Sequence, residues 1–334
     1  MPKVASRSQQ LILLLLFIFE LNLAIISLME KILLFYKYIN LNDPKEVILW
    51  QKEICKRIGL NGRVLIGPEG INGTLGGSEA QTAEYIRLMN ESVLFKDIDF
   101  KFSYADNKAF EKLRVLLRDE IVNLGLPTEK ANPAKTAKHL TPEEVNQLIE
   151  SENKDLVILD TRNDYEWKVG AFRNAIKPPI KNFREFPEYV DQNLENFKDK
   201  EVLMYCTGGI RCERAAAYME AKGIAKKVYQ IKGGIHRYIE KFPDGHFRGK
   251  NYVFDGRITT KVNNDIIGQC DICEAPNDDY TNCMNAPCNK HFLCCPDCEK
   301  KFAGCCSQEC KEIINKFPER IRPEFLKANY IEPK

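Results

Sequence analysis

The sequence predicts a mixed α/β and α+β architecture: an N-terminal α+β sandwich, a central doubly wound parallel sheet and a C-terminal cysteine-rich segment. Three observations predict it. Predicted elements in the first third follow the order β-α-β-β-α-β, those in the middle third alternate between strand and helix, and ten of the thirteen cysteines lie between Cys270 and Cys310. With 334 residues, the chain is long enough for several domains that each bury a core.

Composition changes along the chain define the predicted domain boundaries. They are an apolar extension at residues 1–28, the sandwich at 29–124, a proline-containing linker at 125–138, the parallel-sheet domain at 139–245, and a C-terminal region at 246–334 whose cysteine-rich part is 270–310. The net charge of +2 excludes no class of partner. Residues 211–261, however, hold twelve Lys/Arg against five Asp/Glu, which suits an anionic substrate such as nucleic acid. The alternative is a solvated lysine face.

The first 28 residues need a separate interpretation. Residues 11–28 are almost wholly apolar and follow Lys3 and Arg7, as in a signal peptide or membrane anchor. The run is short for a spanning helix, however, and Glu20 lies inside it. Because Met29 directly precedes the first predicted strand, we interpret the segment as a dispensable extension, or as an artefact of an upstream start, of a cytoplasmic protein without a stable membrane partner. A membrane-anchored or organelle-targeted protein is the alternative.

The sandwich is predicted from its order of elements. A strand at residues 31–38 precedes a helix that begins at Asp43 and Pro44, since proline suits the first helical turn. The remaining elements are predicted as a strand at 63–66, a turn and short strand from 67, a helix from 78 to about 90, and strands at 98–104 and 113–122. This is the order of a ferredoxin-like, or acylphosphatase-like, sandwich. Such scaffolds often bind nucleic acid, but the fold alone is not diagnostic.

The parallel sheet is predicted from residue 139 to about 242, where strands and helices alternate after a capping box at Thr141 and Glu144. Ligands of such sheets bind at the carboxyl ends of the strands, and Cys206 follows the buried strand 202–205. Two glycines and a helix come next, so backbone N–H groups should point at the thiol. Together with the charge of Arg211, they favour a reactive thiolate of depressed pKa. A structural cysteine is the alternative.

Cys206 and Arg211 are therefore the candidate catalytic residues. The candidate substrate-binding residues are Thr207, Gly208, Gly209 and Ile210 in the loop, Asp160 and Arg162 after an earlier strand, and Arg184 between two phenylalanines. Asp160 and Arg162 suit either substrate contact or a structural ion pair, and Arg184 lies in a segment that suits base stacking or packing. His236 near the reactive cysteine and Cys212 as a resolving thiol are weaker candidates.

The cysteine-rich segment predicts structural zinc. Eight cysteines have the spacing of two tetrahedral sites, as Cys270-x2-Cys273 with Cys295-x2-Cys298, and Cys283-x4-Cys288 with Cys306-x3-Cys310. Few large apolar residues are present, so bound metal has to supply folding energy. Cys294, Cys305 and His291 are spare ligands, the pairing is open, and iron–sulfur ligation is the alternative to two zinc ions. Reduced thiols indicate a reducing compartment.

Several segments resemble known families. The loop 206–211, the strand 156–162 with its Asp-x-Arg ending, and residues 229–235 are similar to rhodanese domains. From residue 29 to about 310, the chain resembles rhodanese-domain tRNA uridine hydroxylases. The segments that carry this resemblance are residues 35–38, 68–74, 160–166, 183–187, 206–213 and 253–255. Residues 247–252 depart from that family: the resemblance implies a tryptophan and a further cysteine there, and this sequence has neither. A strand is expected directly after them, at residues 253–255.

This resemblance implies formation of 5-hydroxyuridine at the wobble position, uridine 34, in the anticodon loop of tRNA. It implies molecular oxygen as co-substrate and Cys206 as the active residue. A persulfide or thiosulfate sulfurtransferase is the alternative enzyme, since the rhodanese loop alone supports it. A non-catalytic RNA-binding or zinc adaptor is the third hypothesis, and the intact loop argues against it.

Overall fold

The structure is a computed structural model and describes residues 29–323. The predicted extension at residues 1–28 therefore lies outside the described residues. Within 29–323, no helix has both the length and the apolar character needed to cross a membrane.

The N-terminal domain is the predicted ferredoxin-like sandwich with one additional strand. Its elements are β1 (Glu30–Tyr38), α1 (Pro44–Ile58), β2 (Asn61–Gly67), β3 (Gly70–Gly77), α2 (Glu79–Glu91), β4 (Lys101–Ala105) and β5 (Leu113–Leu117). The sheet has the order β4-β1-β3-β2-β5, in which β5 pairs parallel with β2 and the other neighbours are antiparallel. Side-chain caps define the helices: Asp43 accepts hydrogen bonds from two N–H groups of α1, and Ser78 and Gln81 form a capping box on α2.

Alternation along the strands gives this sheet two different faces. Leu33, Phe35 and Val64 point into the core beneath α1 and α2. The intervening residues Leu34 and Tyr36 point to the other face, where no helix of this domain covers them, and line a cavity shared with the central domain. One face thus stabilises the domain, and the other is available for a ligand.

The central domain contains the predicted parallel sheet. Its elements are β6 (Lys138–Leu140), α3 (Pro142–Glu150), β7 (Leu156–Asp160), α4 (Asp164–Trp167), β8 (Gly170–Phe172), α5 (Phe186–Gln192), β9 (Glu201–Tyr205), α6 (Ile210–Lys222), β10 (Lys227–Ile231) and α7 (Gly234–Lys241). The order β6-β10-β9-β7 is parallel throughout. Along β9, Val202 and Met204 enter one hydrophobic cluster while Leu203 and Tyr205 enter another, so both faces are covered as predicted.

The C-terminal region contributes β11 (Phe247–Tyr252), β12 (Thr259–Lys261), β13 (Tyr280–Asn282), β14 (His291–Leu293), α8 (Pro296–Phe302) and α9 (Gln308–Lys316). β11 pairs with β8 of the central domain and with β12, while β13 and β14 form a hairpin. The strand expected at residues 253–255 is wrong. These residues form a turn after β11, closed by the Val253 N–H, which donates to the Ile258 carbonyl at 2.8 Å.

Candidate active site and metal centres

Cys206 lies at the carboxyl end of β9, in the loop that leads into α6. Its Sγ accepts a hydrogen bond from the Gly209 N–H at 3.1 Å. Burial by itself would raise the pKa of the thiol, but a hydrogen bond with the Cys212 thiol, the charge of Arg211 and the N–H groups of Cys212 and Arg211 outweigh it. Together they lower the pKa of Cys206 to about 6. The site therefore holds a thiolate at neutral pH.

The two loop glycines let Cys206 approach the N-terminal sheet closely. A Cβ on Gly208 would lie 2.8 Å from Cδ2 of Leu34, and one on Gly209 would lie 2.9 Å from the Tyr36 hydroxyl. Gly209 also has a φ of +101°, in the region that favours glycine. The reactive loop consequently packs directly against β1.

Arg211 is buried and paired with a carboxylate that the sequence analysis missed. Its Nη1 and Nη2 donate to Oε2 and Oε1 of Glu166 at 2.5 and 2.7 Å, and the Thr207 hydroxyl donates to the same carboxylate at 3.3 Å. Glu166 is on α4, where it also accepts from the Asn163 N–H. The sequence does mark Glu166 as the third residue after Asn163, which caps the helix. Such a capping pattern predicts a local hydrogen bond, however, and does not reveal a distant partner such as Arg211. Glu166 holds Arg211 and Thr207 in place around the thiol.

Asp160 and Arg162, two of the candidate substrate-binding residues, form an ion pair beneath the loop. Both are fully buried, their Oδ2 and Nη2 atoms are 2.6 Å apart, and Arg162 also donates to the Gly170 carbonyl at 2.6 Å. Neither side chain lines the cavity. We therefore replace the substrate-binding interpretation with a supporting one: the pair links β7 to β8 below Cys206.

Beside the contact of the reactive loop with β1, a cavity of about 740 Å³ opens between the loop and the open face of the N-terminal sheet. The predicted residues that line it are Cys206, Thr207, Gly208, Ile210, Arg211 and Arg184, whereas Gly209 is not among the lining residues. Lining residues that the sequence analysis missed come from the sheet and from the turn after β11, including Tyr36, Arg63, Asn72, Thr74, Phe254 and Arg257. No local pattern could reveal them, because they lie far from Cys206 in the sequence.

Arg184 lies at the cavity wall, where its Nε donates to Oδ1 of Asn123 at 2.7 Å. Its neighbours Phe183 and Phe186 are buried with ring centroids 5.8 Å apart, so the two phenylalanines are packing residues. Arg184 thus brings an exposed cation to the cavity on a rigid support.

His236 and Cys212 both lie near the thiolate. His236 lines the cavity, and burial, followed by the charges of Lys101 and Arg257, lowers its pKa to about 4, so the imidazole is neutral at pH 7. Burial raises the pKa of Cys212 well above that of a free thiol, and its Sγ lies 3.6 Å from the Thr161 hydroxyl. Cys212 is therefore a protonated thiol that can hydrogen-bond to the thiolate of Cys206.

The N-terminal and central domains are joined by a buried arginine. Nη1 of Arg214 lies 2.9 Å from Oε2 of Glu69 and 3.2 Å from Oε1 of Glu120, and its Nη2 donates to the Leu126 carbonyl at 2.6 Å. Tyr36 adds a second link by donating to Glu213 at 2.9 Å. These contacts fix the two walls of the cavity relative to each other.

Eight cysteines form two groups with the geometry of tetrahedral metal sites. The groups are Cys270, Cys273, Cys295 and Cys298, and Cys283, Cys288, Cys306 and Cys310, with all sulfur atoms of a group within 4.8 Å of one another. Sγ–Sγ distances of 3.6 to 3.9 Å within the groups agree with the edge of about 3.8 Å that a tetrahedron with Zn–S bonds of about 2.3 Å has. The ligand sets alternate in pairs along the chain. The spare candidates Cys294, Cys305 and His291 belong to neither group.

Comparison with known proteins identifies the parts of the chain. Residues 30–121 match the UPF0176 acylphosphatase-like domain, residues 141–241 the rhodanese-like domain, and residues 248–311 the rhodanase C-terminal domain. The tRNA uridine(34) hydroxylase of Corynebacterium jeikeium is 40% identical over 293 residues, which cover 85% of this chain and 94% of that protein. The chain belongs to the tRNA uridine(34) hydroxylase family.

Other members of the hydroxylase family are equally similar. The Staphylococcus epidermidis protein is 42% identical over 287 residues, 84% of this chain and 88% of its own length. The Cytophaga hutchinsonii protein is 40% identical over 285 residues, which cover 84% of this chain and 89% of that protein. Both carry the name tRNA uridine(34) hydroxylase.

Proposed function

We propose that this chain is an oxygen-dependent hydroxylase that forms 5-hydroxyuridine at uridine 34, the wobble position in the anticodon loop of tRNA. The observation that carries the proposal is the cavity in which the thiolate of Cys206 faces the open surface of the N-terminal sheet. Membership of a family whose relatives are named for uridine 34 of tRNA supports it.

The lining of the cavity suits a nucleotide. It includes four arginines, Arg63, Arg184, Arg211 and Arg257, and four asparagines, but a single carboxylate, Asp255. Arg211 and Arg257 are already paired with Glu166 and Asp255, whereas Arg184, exposed at the cavity wall, can pair with a phosphate, and the amides offer the donors and acceptors that base edges require. An anticodon base is already unpaired, so its entry into the cavity costs little unstacking.

The thiolate can supply the electron density that hydroxylation needs. Carbon 5 of uracil is a poor nucleophile. Addition of the Cys206 sulfur to carbon 6 produces an enolate in which carbon 5 is the nucleophilic carbon. Arg211 and the loop N–H groups favour the ionised thiol, and we assign to Arg211 stabilisation of the enolate oxygen. Carbon 5 then receives one atom of molecular oxygen, the other leaves as water, and an external reductant supplies two electrons. Loss of the carbon-5 proton restores the double bond and expels the thiolate.

His236 is our candidate for accepting that proton. It lines the same cavity as Cys206, and its imidazole is neutral at physiological pH because its pKa is lowered to about 4. A neutral imidazole has the free lone pair that a proton acceptor requires, but the lowered pKa also makes it a weak base.

The alternative enzyme is a sulfurtransferase, in which Cys206 carries a persulfide on the same loop. That chemistry needs the loop alone, whereas a wall formed by the N-terminal sheet suits a larger substrate. A related alternative keeps the hydroxylase but lets Cys206 carry the oxygen atom, either as a sulfenate or on the oxidised outer sulfur of a persulfide, without a bond to carbon 6.

One experiment separates these mechanisms. Cys206→Ser should abolish 5-hydroxyuridine, measured by nucleoside mass spectrometry, while binding of tRNA stays within about twofold, because the sulfur supplies chemistry rather than affinity. With tRNA that contains 5-fluorouridine, addition at carbon 6 predicts a covalent complex through Cys206, and the carrier mechanism predicts none. Full hydroxylation by Cys206→Ser would contradict both, and thiocyanate formation without hydroxylation would favour the sulfurtransferase.

Two zinc ions are the proposed occupants of the cysteine groups. Four thiolates with tetrahedral spacing and no open position are typical of structural zinc. We place the enzyme in the cytoplasm, because reduced thiols and tRNA occur together there.

A further inference from the structure

The turn after β11 forms a third wall of the cavity. Val253, Phe254, Asp255 and Arg257 line it, opposite residues of the N-terminal sheet and of the reactive loop. The C-terminal region therefore contributes side chains directly to the candidate active site, in addition to its cysteine groups.

Hydrogen bonds hold this turn rigidly against the N-terminal sheet. The Asp255 carboxylate accepts from the Arg257 backbone N–H at 3.0 Å and from Arg257 Nη2 at 2.5 Å. Nη1 of Arg257 in turn donates to the Ser103 hydroxyl and to the Tyr104 carbonyl, both at 3.0 Å. Asp255 and Arg257 are thus engaged in fixing the turn, which leaves Phe254 in a defined position.

Phe254 is exposed although its neighbours are buried. Its side chain is 43% exposed, whereas Tyr252, Val253 and Asp255 are 1%, 4% and 5% exposed. Its ring contacts Tyr252 at a centroid distance of 5.5 Å and the Arg211 guanidinium at 5.7 Å. An aromatic ring is therefore held open at the cavity, beside the cation that adjoins the thiolate.

The charge of the cavity indicates what covers this ring. A purely apolar partner, such as a hydrophobic peptide, would gain nothing from the polar part of the lining, which includes the exposed Arg184 and four asparagines. Single-stranded RNA uses both features, because bases stack on aromatic rings while arginines pair with the backbone phosphates.

We propose that Phe254 is a stacking platform for an unpaired base of the RNA substrate. The inference rests on the proposed function, since it takes a single-stranded loop of RNA as the substrate. It assigns part of RNA recognition to the C-terminal region, so that the base is held between the reactive loop, the sheet and this ring.

The test compares three replacements of Phe254 in the full chain. The probe is an anticodon stem-loop RNA with uridine at position 34, and its Kd is measured by fluorescence anisotropy. Phe254→Ala and Phe254→Leu should weaken binding about tenfold, because both remove the π-face, whereas Phe254→Trp should bind within about twofold of wild type. Fluorescence of the tryptophan introduced at position 254 should be quenched by the RNA, which a merely structural role would not produce.

Ile266→Ala provides the matched control. Ile266 is in the same C-terminal region and is 54% exposed, but it does not line the cavity, so its loss should leave the Kd unchanged. Thermal unfolding of each variant should match wild type, since an exposed side chain contributes little to the core. Wild-type affinity in Phe254→Ala, or equal rescue by leucine and tryptophan, would overturn the inference alone. Failure of the wild-type chain to bind this RNA would overturn the proposed function as well.

Discussion

At the residue scale, Cys206 and Cys55 show that burial alone does not decide the state of a thiol. Both side chains are fully buried. In Cys55, on α1, burial raises the pKa to about 12 and nothing opposes it. In Cys206, burial also raises the pKa, but the Cys212 thiol, Arg211 and loop N–H groups lower it to about 6. Reactivity thus comes from the groups that surround the sulfur.

The first prediction concerns the pH dependence of alkylation. The Cys206 peptide, followed by mass spectrometry after iodoacetamide treatment, should show half-maximal reactivity at about pH 6, with reactivity high above this pH and lost below it, because the thiolate is the reacting form. Cys212→Ala removes a hydrogen-bond donor and should move this midpoint to higher pH. Cys212→Ser retains a donor and should shift it less. The Cys55 peptide should stay unmodified in every sample, and an unchanged midpoint in Cys212→Ala would show that the donor is unimportant.

At the element scale, the packing of the reactive loop on β1 depends on two glycines. Gly209 begins α6 and Gly223 ends it, and both have a positive φ, +101° and +64°. They differ in their surroundings: a Cβ on Gly209 would meet the Tyr36 hydroxyl, whereas one on Gly223 would meet nothing within 4 Å. The two positions therefore separate the conformational cost of a side chain from its effect on the site.

The second prediction uses this pair. Gly223→Ala should cost about 1–2 kcal/mol of unfolding free energy, from backbone strain alone, with hydroxylation per folded molecule unchanged. Gly209→Ala should have at least this strain, because its φ of +101° lies further from the left-handed region that alanine can adopt, and should in addition displace Tyr36 and the N–H that binds the Cys206 sulfur, so its activity should fall at least about tenfold. Chemical denaturation and initial rates measure the two quantities. Equal activity in both variants would mean that the close approach to β1 is irrelevant to the reaction.

The sequence predicts the elements of the fold better than it predicts the site. Alternating apolar residues and caps such as Asp43 and Thr141 act locally, so they indicated both sheets and the position of Cys206 at a strand end. The partner of Arg211 is Glu166, 45 positions earlier, and the wall opposite the thiol includes Tyr36. Glu166 lies on another helix of the same domain and Tyr36 lies in the other domain, so these neighbours arise only when distant parts of the chain pack together, which no local pattern reports.

At the scale of the whole molecule, the cysteine-rich region is linked to the active site through aromatic residues. Tyr280 of β13 stacks on His291 of β14 with centroids 4.3 Å apart, and its hydroxyl donates to the Tyr165 carbonyl at 2.7 Å. Tyr165 is on α4, next to Glu166, and its ring packs on Tyr252 at 5.1 Å. The cysteine-rich region thus supports the wall behind the reactive loop.

The third prediction concerns the metal content. Purified chain should contain about two zinc ions by inductively coupled plasma mass spectrometry, and Cys273→Ser should lose about one of them, with a lower Tm, because one tetrahedral set is broken. Cys294→Ser is the matched control: Cys294 is buried beside a ligand but belongs to neither group, so zinc content should be unchanged. Iron in place of zinc, or full zinc content in Cys273→Ser, would contradict the assignment.

The alternating order of the cysteine pairs has a consequence for biosynthesis. When the chain has emerged from the ribosome as far as Cys288, four thiols are present, Cys270, Cys273, Cys283 and Cys288, but they belong to two different centres. A metal ion captured at that stage would bind thiols of both centres and would have to exchange ligands before each native group forms. We therefore expect the timing of metal supply, as well as its amount, to affect how much of the newly made chain reaches the native state.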